Sequence, residues 1–171
     1  MENKVYLEVK QKVLDSILLY KGINNKYIDV NADKLFKLRL NVLSGNDIIS
    51  LQEKRDIYSK YADVAGALGS LCKEEKNYYE AQFKKAKSLA MKLLTDSKVA
   101  ATTAKELCLT TPIKFTEDSK EILPCDIQYY IIAWEYFKDI ADNLRVDIKD
   151  DLTAILTYLS YEKEKMKLGV S

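Results

Sequence analysis

The sequence predicts a mainly all-α protein built on one long central helix, and three observations carry that prediction. From Asn46 to Lys105 the chain has no proline and only two glycines, Gly66 and Gly69. Over that stretch Tyr58, Tyr61, Ala65, Leu68, Cys72, Tyr79, Phe83, Ala86, Ala90, Leu93, Ala100 and Ala104 recur at steps of three, four and seven, which places one stripe along a helix. Toward the C-terminus, a second aromatic and aliphatic face recurs at the same spacing. Glu75, Gln82 and Asp96 interrupt the heptad, so a long helix, unbroken or broken near Gly66–Gly69, fits better than a continuous coiled coil. A helix of this length needs a partner along much of it.

A chain of 171 residues reads as a single domain with enough apolar content for a core. It divides into an N-terminal part over 1–45, the long helix over 46–111 and C-terminal helices over 112–171. At the start, Val5, Val9, Val13, Leu14, Ile17 and Leu18 share a helical face ending near Tyr20, with Gly22 placed as a C-cap residue and Asn24–Asn25 as a turn. Phe36, Leu38, Leu40 and Val42 then alternate with polar residues, the period of a strand. A small N-terminal β-hairpin is the favoured reading of 26–43, against a helix capped at Asn31 or Asp33. Asn46 or Asp47 can cap the long helix, and Pro112 is expected to end it.

Ala62, Ala65, Gly66, Ala67, Gly69 and Ser70 form a patch of small residues inside that helix. Each glycine costs about 1 kcal/mol against alanine, so close approach of another helix, or a hinge, should compensate. Beyond Pro112, Thr116 or Asp118 can cap a short helical turn, and Asp118 with Glu121 has capping-box spacing. Pro124 and Asp126 open the next helix, whose buried face reads Ile127, Tyr130, Ile131, Trp134, Phe137, Ala141 and Leu144. Asp147 reads as the cap of a last helix carrying Ile148, Leu152, Ile155, Leu156, Leu159 and Met166 to Gly169. The short connection Arg145–Asp147 makes these two a C-terminal antiparallel helix hairpin.

Catalytic chemistry is thinly represented. There is no histidine, no glycine-rich phosphate loop and no C-x-x-C pair, and Cys72, Cys108 and Cys125 are scattered. Asp118–Glu121 and Asp139–Asp142 have the spacing of magnesium-holding carboxylate pairs, but capping and a solvated helix face explain them equally. The sequence therefore reads as non-catalytic, with no cofactor and no metal. No apolar run reaches membrane-spanning length, and cytoplasmic residence is expected.

Charge is more informative. The formal net charge is only +1, yet Phe83–Lys105 holds six lysines and one acid, Asp96. On a continuous helix Lys84, Lys87, Lys98 and Lys105 share one edge, with Lys85 and Lys92 flanking the apolar stripe. Lysines at helical pitch suit a phosphate backbone and give salt-sensitive binding indifferent to sequence. An ordinary solvated face is the plainer alternative. The stripe of Tyr58, Tyr61, Ala65, Leu68, Cys72 and Tyr79 is the candidate oligomer interface, because two short C-terminal helices could not cover it.

The run Tyr58-Ser59-Lys60-Tyr61, a lysine-rich helix containing Glu80-Ala81-Gln82, and Asp126-Ile127-Gln128-Tyr129 opening an aromatic helix together resemble the UvsY type of recombination mediator from tailed phages. Ile28-Asp29 and Lys34-Leu35 fit the same pattern, and the likeness spans Tyr27 to Tyr158. That resemblance implies a small helical phage protein of the host cytoplasm that forms a homo-oligomeric ring and binds single-stranded DNA. It also implies a role in recombination and repair, loading a recombinase in place of the single-strand-binding protein. The family's lysine–arginine motif has no arginine counterpart here; Lys84, Lys85, Lys87 and Lys92 occupy that neighbourhood. The alternative function is a phage structural, scaffolding or anti-defence protein acting through helix-mediated assembly.

Overall fold

The computed structural model describes residues 2–20, 28–29, 39–40 and 48–169. The protein is mainly helical. Helix α1 spans Glu2–Tyr20, α2 spans Ile48–Asp96, the short α3 spans Ala101–Leu107 and α4 spans Pro124–Lys167. The expected caps at Asn31, Asp33, Asn46 and Asp47, the Gly22 C-cap and the Asn24–Asn25 turn lie outside the described residues. So does most of the expected hairpin. Only a two-residue antiparallel ladder is described there, β1 (Ile28–Asp29) against β2 (Arg39–Leu40), pairing Ile28 with Leu40 and Asp29 with Arg39. Two pairs do not make a hairpin over 26–43, which the structure leaves unsupported.

The chain separates into two compact units, one of Met1–Gln11 with Leu71–Tyr136 and one of Lys12–Ser70 with Phe137–Ser171. In the second unit α2 and α4 run antiparallel, since Gly66 neighbours Arg145 while Gly69 neighbours Asp142. Leu51, Tyr58 and Ala65 of α2 bury against Ile148, Ile155 and Leu159 of α4, with Ala62, Leu144 and Leu152 at the margin. A Cβ placed on Gly69 would sit 2.7 Å from Asp142 Oδ1 and 4.0 Å from Ala141 Cβ. Close approach of a neighbouring helix is therefore what the small-residue patch serves; α2 passes through Gly66–Gly69 without a break.

Two sequence-based boundaries move. The C-terminal helix hairpin is instead a single helix through Arg145–Asp147. Nothing there breaks a helix: no glycine or proline occurs, and Ala141, Leu144, Ile148, Leu152, Ile155 and Leu159 continue one stripe at steps of three and four. Asp147 is an exposed mid-helix residue rather than a cap, and Leu156 and Met166 face outward. The expected stop after α4 is present, with Gly169 in the left-handed region at φ 66°.

Helix α2 ends at Asp96, well before Pro112. Lys98 takes the left-handed conformation, φ 58°, and its N–H donates to Thr95 O at 2.9 Å while Val99 N–H donates to Leu94 O at 3.0 Å. This pair of bonds is a Schellman closure, normally built on glycine, so the sequence does not announce it.

In the first unit Ala86 and Ala90 of α2, Cys108, Ile113, and Ile127 of α4 form one buried cluster. Val5 and Val9 of α1 and Trp134 of α4 are also buried there. Trp134 is 1% exposed, as the periodicity of its helix predicts, and its indole Nε1 has no hydrogen-bond partner among the described residues. Between α3 and α4, Ile113 and Ile122 exchange two 2.9 Å backbone hydrogen bonds. They close a loop in which Ser119 Oγ donates to Thr116 O at 2.8 Å and accepts from Thr116 N–H at 3.0 Å. Of the short helical turn expected from Thr116 or Asp118, this bridged loop holds a single turn at Thr116–Ser119, where Ser119 N–H donates to Thr116 O at 3.1 Å.

Candidate nucleic-acid interface

Lysines between Lys84 and Lys92 must face solvent because Ala86 and Ala90, between them, are fully buried on the opposite face of α2. Lys84, Lys85, Lys87 and Lys92 are all exposed, spread over the outward half of the helix. None of the four pairs with a carboxylate among the described residues. Lys76, one step earlier, is different: its ammonium binds Glu135 at 2.7 Å and lies 3.6 Å from Glu80. The Glu135 hydrogen bond holds that ammonium above its ordinary range.

Lys98 and Lys105 do not belong to this edge. Both are exposed, but Lys98 sits in the Schellman turn and Lys105 in α3. The shared edge expected of Lys84, Lys87, Lys98 and Lys105 required α2 to continue past Asp96, which it does not.

The candidate oligomer face lies largely inside the chain. Tyr58, Ala65, Leu68 and Cys72 are buried within the single chain, at 8%, 0%, 4% and 0% exposure. One 44-residue α4 covers what two short helices could not. Tyr79 stacks on Tyr130, and the side chain of Tyr61 lies outside the described residues. Tyr58, Ala65, Leu68 and Cys72 are core, because the stripe that reads as unpartnered in α2 is the side that α4 occupies within each unit.

An aromatic ring borders one of the lysines, a feature the sequence pattern did not single out. Lys85 Nζ stands 5.2 Å from the centroid of the Phe115 ring, on the bridged loop. Phe115 in turn walls a pocket of about 320 Å³ with Tyr78, Tyr79 and Gln82 of α2 and Asp126 and Tyr130 of α4. A second hollow, of about 480 Å³, lies between the end of α2 at Lys92 and Asp96 and the loop residues Lys114 and Glu121. An isolated phenylalanine in the polar run Lys114–Glu121 was the one available signal for this wall.

Within the pocket Tyr78 meets Tyr79 edge-on at 5.3 Å, and Tyr79 stacks on Tyr130 at 4.6 Å and 6°. The Tyr130 hydroxyl donates to Glu8 Oε2 at 2.8 Å. Burial, then that hydrogen bond to a carboxylate, pushes the phenol up to about 12, so it stays protonated and neutral.

Of the two carboxylate pairs, Glu121 lines the second hollow with Lys92, while Asp139 and Asp142 belong to the other unit. Asp118 and Glu121 are exposed on the bridged loop, and Asp142 is held by Lys138 at 2.8 Å on α4. Among the described residues, no three carboxylates or thiols converge as a metal would need, and no helix is long and apolar enough to cross a membrane. Comparison with protein family models, curated proteins and solved structures finds no match for this chain.

Proposed function

We propose that this protein binds single-stranded DNA without catalysing a reaction on it, in the manner of a recombination mediator that helps a recombinase replace a single-strand-binding protein. The observation that carries this reading is the set of four exposed lysines on the outward half of α2, none paired with a carboxylate among the described residues, of which Lys85 stands over the ring of Phe115. Lysine ammonium groups that have no carboxylate partner release counterions when they meet phosphates, and neighbouring aromatic rings suit unpaired bases. The likeness to UvsY-type proteins supports the recombinase-loading role.

The test is the salt dependence of affinity for a single strand. Each phosphate contact on a single strand contributes a slope of about −0.7 in log affinity against log salt, so Lys84→Ala with Lys87→Ala should flatten it by about 1.4. The pair Lys98→Ala with Lys105→Ala should change it less. Equal, small losses from both pairs would reduce the lysines to a solvated face, and no binding by the parent at low salt would end the reading.

A second reading, assembly through helix faces, is favoured by the exposed apolar side chains near the end of α4. Tyr158 and Tyr161 are 60% and 56% exposed and share one face of that helix, and Leu168, 71% exposed, follows its last residue. Self-association through this stripe would also supply the oligomer that the mediator reading calls for. Light scattering of Tyr158→Glu against the parent separates the readings: a fall in mass with DNA affinity intact makes assembly a separate property.

A further inference from the structure

Phosphate contacts by lysine leave one part of the interface without a role, and that part is a built cavity. The pocket beside Phe115 has about 320 Å³ of space, at the lower end of volumes that hold small ligands. Four of its eight lining residues are aromatic, with Ile122 and Ile127 beside them. Tyr79 and Tyr130 are committed to each other by their stack and form a fixed floor. Tyr78 is 57% exposed, so its ring can be displaced onto a ligand without disturbing the core. Two polar side chains interrupt the aromatic lining: Gln82, whose amide both donates and accepts, and Asp126, whose carboxylate only accepts.

A flat ligand with a hydrogen-bonding edge fits such a lining. So would an alkylammonium, which aromatic rings and a carboxylate can hold together. Lys85 decides between them. Its ammonium stands over the Phe115 wall, 5.2 Å from the ring centroid, and places positive charge beside the pocket. That charge repels a cationic ligand and attracts a phosphate.

We propose that this pocket binds a nucleotide, with Tyr78 stacking on the base, Gln82 and Asp126 meeting its polar edge and Lys85 its phosphate. The proposal rests on the single-strand reading above and deepens it: the strand is held by its bases as well as its backbone. Stacking tolerates every base, so the site adds affinity without demanding a sequence.

The experiment compares the full chain's affinity for a short single-stranded oligonucleotide, for an abasic strand of the same length, for a free nucleoside monophosphate and for tetramethylammonium. The parent should bind the base-bearing strand about tenfold more tightly than the abasic one. Tyr78→Ala should erase that preference and leave the salt slope unchanged, while Tyr78→Phe retains it. Because Tyr78 is exposed, both variants should keep parental helicity by circular dichroism. Equal affinity of the parent for the two strands overturns the pocket while the lysine contacts stand. A preference that survives Tyr78→Ala places the bases elsewhere and also overturns it. Tyr78-dependent binding of the free nucleotide, with neither strand bound, supports the pocket and sinks the single-strand reading. Binding of tetramethylammonium in preference to the nucleotide, or of no probe at all, overturns the proposal.

Discussion

The ring of Tyr79 on α2 lies on the ring of Tyr130 on α4, 4.6 Å between centroids and 6° from parallel. The same Tyr130 donates its hydroxyl to Glu8 of α1 in a 2.8 Å hydrogen bond, so one side chain ties three helices of its unit together. Tyr130→Phe keeps the stack and loses the hydrogen bond, which should cost about 1 kcal/mol. Tyr130→Ala loses both and should cost about 3 kcal/mol.

The same contact sets an alkaline limit. Burial and Glu8 raise the Tyr130 phenol from 10.0 to about 12, so the folded state keeps its proton where the unfolded state has lost it. A pKa raised on folding contributes stability that is whole below pH 10 and is lost as the pH climbs toward 12. Urea unfolding across that window should show stability falling in the parent and falling less in Tyr130→Phe. Identical declines in the two proteins would remove Tyr130 from the account.

Gly66 and Gly69 should respond differently to alanine. Helix propensity favours each replacement by about 1 kcal/mol. At Gly66 the nearest obstacle is Arg145 Nε, 3.3 Å from the new Cβ, on a long exposed side chain that can swing aside. Gly66→Ala should therefore stabilise. At Gly69 the obstacle is Asp142 Oδ1 at 2.7 Å, on a short side chain already held by Lys138. Gly69→Ala should give no gain alone and recover about 1 kcal/mol in an Asp142→Ala background. Simple additivity of the two changes would contradict the close approach.

Lys98→Gly should raise stability by about 1 kcal/mol, since a left-handed φ of 58° strains every residue with a Cβ. Affinity for a single strand should be nearly unaffected, because Lys98 lies past the end of α2.

Val146→Pro tests the continuity of α4. Val146 is 56% exposed, so its side chain contributes little to the core. A mid-helix proline costs about 3 kcal/mol or more, whereas a connecting loop at Arg145–Asp147 would accept it. Full helicity and unchanged stability in this variant would restore two helices.

Helices were legible wherever local signals and periodicity agreed. Val5, Val9 and Val13 marked α1, Pro124 with Asp126 marked the start of α4, and the small residues around Gly69 left a close helix and a hinge open, of which the helix is present. Boundaries failed where one local signal competed with a continuous stripe. Asp147 resembled a cap, but Ile148 extends the face of Ala141 and Leu144, and tertiary burial prevailed. The end of α2 was hidden because its left-handed residue is lysine rather than glycine. Exposure of Lys84, Lys85, Lys87 and Lys92 follows from their offset to Ala86 and Ala90, so half of the site could be read directly. Its other half could not: Tyr78, Phe115 and Asp126 meet only after a loop and a second helix have folded against α2.

The single bridge between Ile113 and Ile122 has a practical corollary for display and labelling. Its two hydrogen bonds pin both ends of the loop, while Glu117 and Asp118 at the tip are exposed. Lengthening a loop whose ends are already fixed costs only about 0.6 kcal/mol per doubling. A peptide tag spliced between Glu117 and Asp118 would therefore be carried on the outside of the folded chain, reachable by an antibody, with the Ile113–Ile122 clasp left closed beneath it.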